Sequence, residues 1–189
     1  MKENLKLLKT SLSYSFFIIL ILWIVKIIGF IFGTDFHTLG IFPRSLFGLF
    51  GVITSPFLHG DFQHLIANTL PFLILSTILF FFYKRKSVLI FILLWITSGL
   101  LTWIIGRSSW HIGMSSVIYA IASFLIFGGF FSKKVLLIVV SLVVIFAYSG
   151  LIFGIFPTES RISWEGHLSG AIAGFFWAYI MRKELNRLS

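Results

Sequence analysis

Six long apolar runs, separated by short polar or glycine-containing segments, make up most of the hydrophobic pattern along this chain. A helix that crosses a bilayer needs about 20 mainly apolar residues, and each run comes close to that length. The pattern predicts an all-α, polytopic membrane protein, with a single membrane domain over residues 1–189 built as one six-helix bundle. The predicted spans are residues 13–33, 64–83, 87–106, 115–131, 134–154 and 165–182.

The segment between the first two runs is apolar, but glycine and proline interrupt it. Pro43 and Pro56 each remove a backbone donor and prevent a continuous helix, and too few residues lie between them to cross a bilayer. We therefore expect this segment to lie in the outer interface of the membrane.

Composition supports a membrane location. Hydrophobic residues make up 58% of the chain and charged residues 11%, and these proportions fall outside the usual range of soluble domains. The first run is longer than the apolar core of a signal peptide and lacks a small-residue cleavage site, so we expect a retained span. The absence of cysteine excludes thiolate metal sites and cysteine nucleophiles.

The net charge of +9 is distributed by loop, and this distribution predicts the orientation of the chain. One predicted side carries eleven basic residues: Lys2, Lys6, Lys9, Lys84, Arg85, Lys86, Lys133, Lys134, Arg182, Lys183 and Arg187. The other side carries Arg44, Arg107, Arg161, Asp35, Asp61, Glu159 and Glu165. Because basic loops stay in the cytoplasm, both termini are expected there, and the basic surface is expected to face a lipid bilayer rather than nucleic acid. The expected location is the plasma membrane of a bacterium or archaeon, with Lys26 of the first span extending its amine towards the interface.

Unusual polar residues occur where the second, fourth and sixth predicted spans begin. With the N-terminus inside, these spans all start at the outer side, so His64, Asn68, Ser115 and His167 are expected at one depth. Serine and histidine are the minimum pair for nucleophilic hydrolysis, because imidazole takes the hydroxyl proton and later returns it to the leaving group. The short fourth span, about 25 Å against a hydrocarbon core of about 30 Å, places Ser115 below the surface. Helix-start N–H groups near Ser115, with His64 and Asn68, are predicted to stabilise an oxyanion.

Each of these residues also has an ordinary structural explanation. Ser115 alone is more typical of a helix cap, while His64 and Asn68 are compatible with hydrogen bonds between packed helices. A metal site is the main chemical alternative, because four histidines fall near the outer side: His59, His64, His111 and His167. Their spacing matches no zinc motif and no carboxylate lies within a span, so no metal is expected. Glu165 lies on a different helical face from His167, which favours a Ser-His dyad over a triad.

Three motifs together resemble those of the rhomboid family of intramembrane serine proteases, over residues from about 44 to 180. The sequence Gly113-Met114-Ser115-Ser116 resembles the family's Gly-x-Ser-Gly motif. The sequence Gly166-His167, followed by Gly170 and Gly174, resembles the motif of the final span. In the second span, the family's pattern of two histidines and an asparagine is matched by His59, His64 and Asn68.

The resemblance implies a role for each matching residue. Ser115 is the nucleophile, and His167 is the general base and acid. An oxyanion-binding role carries over to His64 and Asn68. Supporting positions are His59, Gly113, Tyr119, Gly170 and Gly174, with Tyr119 packing near the catalytic histidine.

The implied function is a six-span serine endopeptidase that uses no cofactor or metal. It would cleave single-span transmembrane proteins near their outer end, with lateral access between spans two and five. One position departs from the motif, since Ser116 stands where glycine is usual. The added hydroxymethyl group could narrow the oxyanion pocket or crowd the spans, yet it is small enough to be accommodated. The alternative is a catalytically weak or inactive rhomboid-like factor that binds membrane proteins, although such members typically lack the serine or histidine. A transporter would need charges at mid-membrane, and apart from Lys26 the predicted spans carry charged residues only at their ends.

Overall fold

The computed structural model describes residues 1–157 and 163–186. Glu159, Arg161 and Arg187, three of the charges used to predict orientation, lie outside the described residues. The described chain is helical, and its longer helices are α1 Lys2–Ile31, α4 Phe62–Tyr83, α5 Ser87–Ile105, α6 Ser115–Ser132, α7 Val135–Ala147 and α8 Trp164–Ile180. Its short helices are α2 Leu46–Leu49, α3 Gly51–Thr54 and α9 Arg182–Leu185.

Helix boundaries follow the predicted spans closely in four cases and differ in two. The helices α4, α5, α6 and α8 begin and end within about two residues of the expected positions. The first helix begins at Lys2 instead of residue 13, because the polar residues before the apolar run are themselves good helix formers. The apolar pattern marked the lipid-facing part of α1 and missed its polar extension.

The predicted span over residues 134–154 is not one straight helix. The helix α7 ends at Ala147, and a 3-10 segment, Ser149–Ile155, follows at an angle of 64°. Gly150 and Gly154 lie in this segment, and glycine weakens a helix because it loses the most backbone freedom on folding. The apolar composition continues through the bend, so run length alone did not reveal it.

Three helical stretches of the described chain are long and apolar enough to cross a membrane, or four if α7 and its bent continuation form one span. One of these stretches, residues 62–105, contains both α4 and α5. The rings of Phe72 and Phe91 lie 6.1 Å apart within it, whereas a straight helix would separate these residues by about 28 Å. The chain therefore reverses between the two helices, where Lys84 adopts a positive φ of 45°.

The helix α6 lies at the centre of the bundle. About 72% of α6 is buried, whereas only 22% of the apolar part of α1 is. It packs on α8 along a face where Gly170 and Gly174 leave no room for a side chain. A Cβ at Gly170 would lie 2.9 Å from Tyr119 Cβ, and one at Gly174 would lie 2.6 Å from Ser123 Cβ. Small residues permit this close approach, which brings the first turns of the two helices together.

The segment between α1 and α4 folds into short helical turns and attaches to α5. The Arg44 guanidinium donates to the carbonyls of Ile104 and Gly106 at 3.1 and 2.8 Å. Ile41 and His111 exchange two backbone hydrogen bonds at 3.0 and 2.8 Å, which ties this segment to the loop before α6. That loop leads directly to Ser115.

Candidate active site

A cavity of about 560 Å³ opens between α4, α6 and α8, and it is lined by the residues that the sequence singled out. Ser115, His167, His64, Asn68 and Tyr119 all face it. These residues come from three helices, so the fold has brought together side chains that lie up to about a hundred positions apart in sequence.

Ser115 is the first residue of α6, and Met114 occupies the N-cap position. The capping alternative for Ser115 is therefore wrong, because the side chain that caps a helix belongs to the residue before its first turn. No side chain caps α6. The Val117 N–H donates to the Met114 carbonyl at 3.0 Å, whereas the N–H groups of Ser115 and Ser116 have no acceptor within the helix and can bind negative charge beside Ser115.

Gly113 determines how closely His64 approaches this turn. Its φ of +107° is a conformation that side chains disfavour. A Cβ at this position would also lie 2.7 Å from Cε1 and 2.8 Å from Nε2 of His64. The absence of a side chain at Gly113 thus lets the His64 imidazole lie against the backbone that leads into Ser115.

Asn68 is buried one turn after His64 on α4. Its Nδ2 donates to the His64 carbonyl at 2.9 Å, which uses one of the two amide hydrogens. The Asp61 carboxylate accepts from the His64 N–H at 2.6 Å and caps the helix. Helix position and side-chain bonding therefore hold both predicted oxyanion residues at the cavity wall.

His167 is held by contacts on its edge and on its face. Its Nδ1 lies 2.9 Å from the Gly154 carbonyl of the bent segment after α7. Since a carbonyl only accepts, Nδ1 carries the hydrogen, and the neutral ring keeps its acceptor lone pair on Nε2. The Tyr119 ring stacks on the imidazole at 4.2 Å between centroids and 5° between planes. This arrangement leaves Nε2 as the nitrogen that can accept a proton.

Ser115 and His167 share the cavity but are not hydrogen-bonded to each other in the described chain. Both side chains line one cavity, but the hydrogen bond that the sequence predicted between them is not formed. Hydrogen bonds between catalytic groups are often long or misaligned in ligand-free sites and form fully when substrate is bound.

His59 is buried behind the site, with 2% of its surface exposed. Its Nε2 accepts from the Met114 N–H at 3.5 Å, and its ring contacts His64 edge to face at 4.9 Å. Burial lowers the pKa of His59 to about 3, and the neighbouring His64 acts in the same direction. His59 is therefore neutral near pH 7 and supports the loop that precedes Ser115.

Ser116 faces α8 and not the large cavity. Ser116 lines a separate small cavity together with Gly166. A Cβ added to Gly166 would lie 3.8 Å from the Cβ of Ser116. Gly166 of α8 leaves room for the additional side chain, and Ser116 does not line the main cavity.

Several site contacts were missed by the sequence analysis. Gly154 supplies a backbone carbonyl, for which the amino-acid type gives no signal. His111 was considered as a metal ligand, but its Nδ1 lies 2.6 Å from the Ser163 hydroxyl. Lys26 reaches the Gly60 carbonyl at 2.8 Å, which agrees with an amine extended along its stem towards the interface. Within residues 1–157 and 163–186, no group of three or more His, Asp or Glu side chains is arranged to hold a metal.

Similarity to known proteins agrees with this geometry. The rhomboid domain family matches residues 47–184. An uncharacterized protein of Mycobacterium tuberculosis (strain H37Rv) is 38% identical over 170 residues, covering 85% of this chain and 71% of the relative. A Mycobacterium leprae protein is 37% identical over 142 residues, covering 70% of this chain and 56% of the relative. A protein of Acanthamoeba polyphaga mimivirus, whose name includes the word rhomboid, is 31% identical over 136 residues, covering 66% and 70%.

The chain belongs to the rhomboid family, and the resemblance drawn from its three motifs is confirmed. It is an all-helical protein with several apolar helices, as expected for a membrane-embedded member of that family.

Proposed function

We propose that this protein is an intramembrane serine endopeptidase that hydrolyses peptide bonds of single-span transmembrane proteins near the outer membrane face. The observation that carries the proposal is the shared cavity of Ser115 and His167, in which the Gly154 carbonyl engages Nδ1 and leaves Nε2 as the base. Family membership adds support, since rhomboid proteins are generally serine proteases.

The proposed reaction begins when Ser115 Oγ attacks the substrate carbonyl while His167 Nε2 takes the hydroxyl proton. The resulting oxyanion accepts hydrogen bonds from the Ser115 N–H, from His64 and from the second amide hydrogen of Asn68. When the tetrahedral intermediate collapses, the C–N bond breaks and the leaving amine takes the proton from His167. Water then attacks the acyl ester, His167 takes its proton, and return of that proton to Ser115 Oγ releases the acid.

A water-containing cavity is required for this chemistry inside a membrane. The first turn of α6 borders an open cavity, where non-helical backbone and polar side chains can be hydrated. Every group in the proposed reaction belongs to the chain or to water, so the mechanism uses no cofactor and no metal.

The proposed topology is a single domain of six spans with both termini in the cytoplasm of a plasma-membrane protein. The bent segment Ser149–Ile155 would complete the fifth span. The described basic residues at Lys84–Lys86, Lys133 and Lys134 support this orientation through the positive-inside rule. Substrates would enter laterally between α4 and α7.

A rhomboid-like factor that binds membrane proteins without cutting them is the second candidate function. The missing hydrogen bond between Ser115 and His167 is the observation that favours it. Both functions predict substrate binding, and peptide-bond cleavage separates them.

Cleavage can be tested by reconstituting the purified protein in liposomes with a single-span substrate that carries glycine residues at its outer end. The endopeptidase proposal predicts a fragment of defined size with wild type and with Ser123→Ala, and none with Ser115→Ala. Ser123 is a suitable control because it lies on the same helix and its hydroxyl bonds the Ala171 carbonyl, outside the cavity. Substrate that co-purifies with wild type but stays intact would favour the non-catalytic factor.

A further inference from the structure

One hydrogen bond joins the two chain segments that lead into the proposed catalytic residues. His111 Nδ1 lies 2.6 Å from Ser163 Oγ. His111 is four residues before Ser115, and Ser163 is four residues before His167. The bond therefore connects equivalent points upstream of the nucleophile and of the base.

His111 is anchored firmly on its own side of this bond. Its backbone is paired in both directions with Ile41, and its Nε2 lies 3.0 Å from the Arg107 carbonyl. Because that carbonyl only accepts, Nε2 carries the hydrogen and Nδ1 accepts from the Ser163 hydroxyl. His111 is 4% exposed, so water competes little for these bonds, although His111 and Ser163 both lie in the wall of the main cavity.

Ser163 is the N-cap of α8, and its Oγ accepts from the Gly166 N–H at 3.2 Å. The same oxygen thus receives one hydrogen bond from the helix and donates one to His111. A second contact joins the same two segments, since Arg107 Nε lies 3.4 Å from the buried Glu165 carboxylate. The start of α8 is fixed against the loop that precedes α6.

We propose that the His111–Ser163 hydrogen bond is a clamp that sets the position of the first turn of α8, and hence of His167, relative to Ser115. Both are positioning residues and take no part in bond making. The catalytic consequence rests on the endopeptidase function proposed above, whereas the clamp itself is a contact that can be measured without activity.

The test uses His111→Phe, Ser163→Ala and the double variant, each treated with a fluorophosphonate over time. The plateau of labelling measures the folded fraction, and the rate constant measures how well nucleophile and base are aligned. We expect each single variant to label roughly tenfold to a hundredfold more slowly with an unchanged plateau, since small displacements at a reacting centre have effects of that size. The double variant should be slowed by less than the product of the two single effects, because the bond that the two side chains share is lost only once, whereas His111→Phe also loses the bond to the Arg107 carbonyl and Ser163→Ala the bond to the Gly166 N–H.

Two further variants separate positioning from general stability. His111→Asn keeps a polar atom near the place of Nδ1 and should restore labelling to within about threefold of wild type. Ser45→Ala removes a comparable N-cap bond, that of α2 to Gly48, at a residue that does not line the cavity, and should label like wild type. Rate effects that multiply in the double variant, or a lower plateau with an unchanged rate, would overturn the clamp.

Failure of the endopeptidase proposal has a different signature. Wild type would then show no labelling at Ser115. The clamp would be judged by the thermal unfolding of wild type, His111→Phe, Ser163→Ala and the double variant. Non-additive shifts in Tm would support the contact, and additive shifts would refute it.

Discussion

At the scale of single residues, the site depends on how His167 is held. The Gly154 carbonyl binds Nδ1 and Tyr119 covers one ring face, so rotation and tautomer are both restricted without a carboxylate partner. An aspartate performs this orienting task in the familiar Ser-His-Asp triads. In the proposed dyad, a backbone carbonyl and a stacked aromatic ring would take its place.

Ser116 provides a test of whether the motif departure affects chemistry. Because its side chain packs towards Gly166 and away from the main cavity, Ser116→Gly should change the labelling rate by less than about twofold. The same variant should lower the free energy of unfolding by roughly 1 kcal/mol, since glycine disfavours the helix. Labelling kinetics and thermal unfolding measure the two effects. A large increase in rate would mean that Ser116 does narrow the oxyanion pocket.

His59 should make the fold sensitive to acid. Its folded-state pKa of about 3 lies below the unfolded value of about 6.5, so the unfolded chain binds the extra proton first. The contribution of neutral His59 to the free energy of unfolding is fully present above about pH 6.5. It decreases as the pH falls towards 3, by about 2 kcal/mol between pH 7 and pH 5. Thermal unfolding of His59→Gln should show a smaller loss of Tm over this range.

The decrease of Tm in wild type over the same pH range is the reference for that measurement, because the part of the decrease that His59→Gln removes belongs to His59. Equal pH dependence in wild type and His59→Gln would contradict the assignment of the acid sensitivity to His59.

Residues with reactive side chains could be found from sequence, whereas their supports could not. Ser115, His167, His64 and Asn68 stand out because polar groups are costly in apolar spans. Gly154 acts through its backbone carbonyl, a group that every residue has. The amino-acid type at this position therefore does not indicate the contact with His167. The bond between His111 and Ser163 depends on the fold of two loops whose residues are individually ordinary.

At the scale of elements, the bent segment Ser149–Ile155 is the main departure from the predicted helices. The bend brings Gly154 to His167 and places Leu151 on the cavity wall. Apart from the polar extension of α1, helix lengths elsewhere followed from apolar run length, because each run ends at charged or glycine-containing segments. The bend had no such marker, since apolar residues continue through it.

Gly154→Ala should impair catalysis through His167. The added Cβ would lie 3.0 Å from His167 Nδ1 and would overlap the Tyr119 hydroxyl, so the imidazole or the segment must shift. We expect kcat to fall roughly tenfold to a hundredfold with little change in KM, because alignment is lost and substrate contacts remain. Steady-state cleavage of the single-span substrate measures both constants.

Gly150→Ala is the matched control, because a Cβ there meets no atom within 4 Å. It introduces the same methyl group into the same segment and should leave kcat and KM near wild type. If both alanine variants lost activity equally, the effect would belong to the segment as a whole and not to the contact with His167.

At the scale of the whole molecule, charge and burial describe a protein arranged around one central helix. The helix α6 is mostly buried, α1 is mostly exposed on its apolar surface, and the basic loops are grouped by position along the chain. The helical class and the family could be predicted from sequence, because hydrophobic periodicity and three spaced motifs are properties of the chain itself. The packing of α6 on α8 could not be predicted from sequence, because it depends on where the α8 glycines lie in three dimensions.

The proposed orientation can be measured directly because the chain contains no cysteine. Arg85 and Ser108 are exposed at opposite ends of α5, and single cysteines there should differ in their reaction with a membrane-impermeant maleimide. In intact cells Ser108→Cys should react and Arg85→Cys should react only after the membrane is opened, since basic loops stay inside. The reverse pattern would contradict the proposed topology.

The central claim is that Ser115 is a nucleophile activated by His167, and covalent labelling with a fluorophosphonate tests it most directly. The detergent-solubilised wild-type protein should acquire one label, located on Ser115 by peptide mass spectrometry. His167→Ala should label far more slowly, and a chelator should have no effect. Ser115→Ala should not label at all, and labelling of this variant to the same extent as wild type would contradict the account.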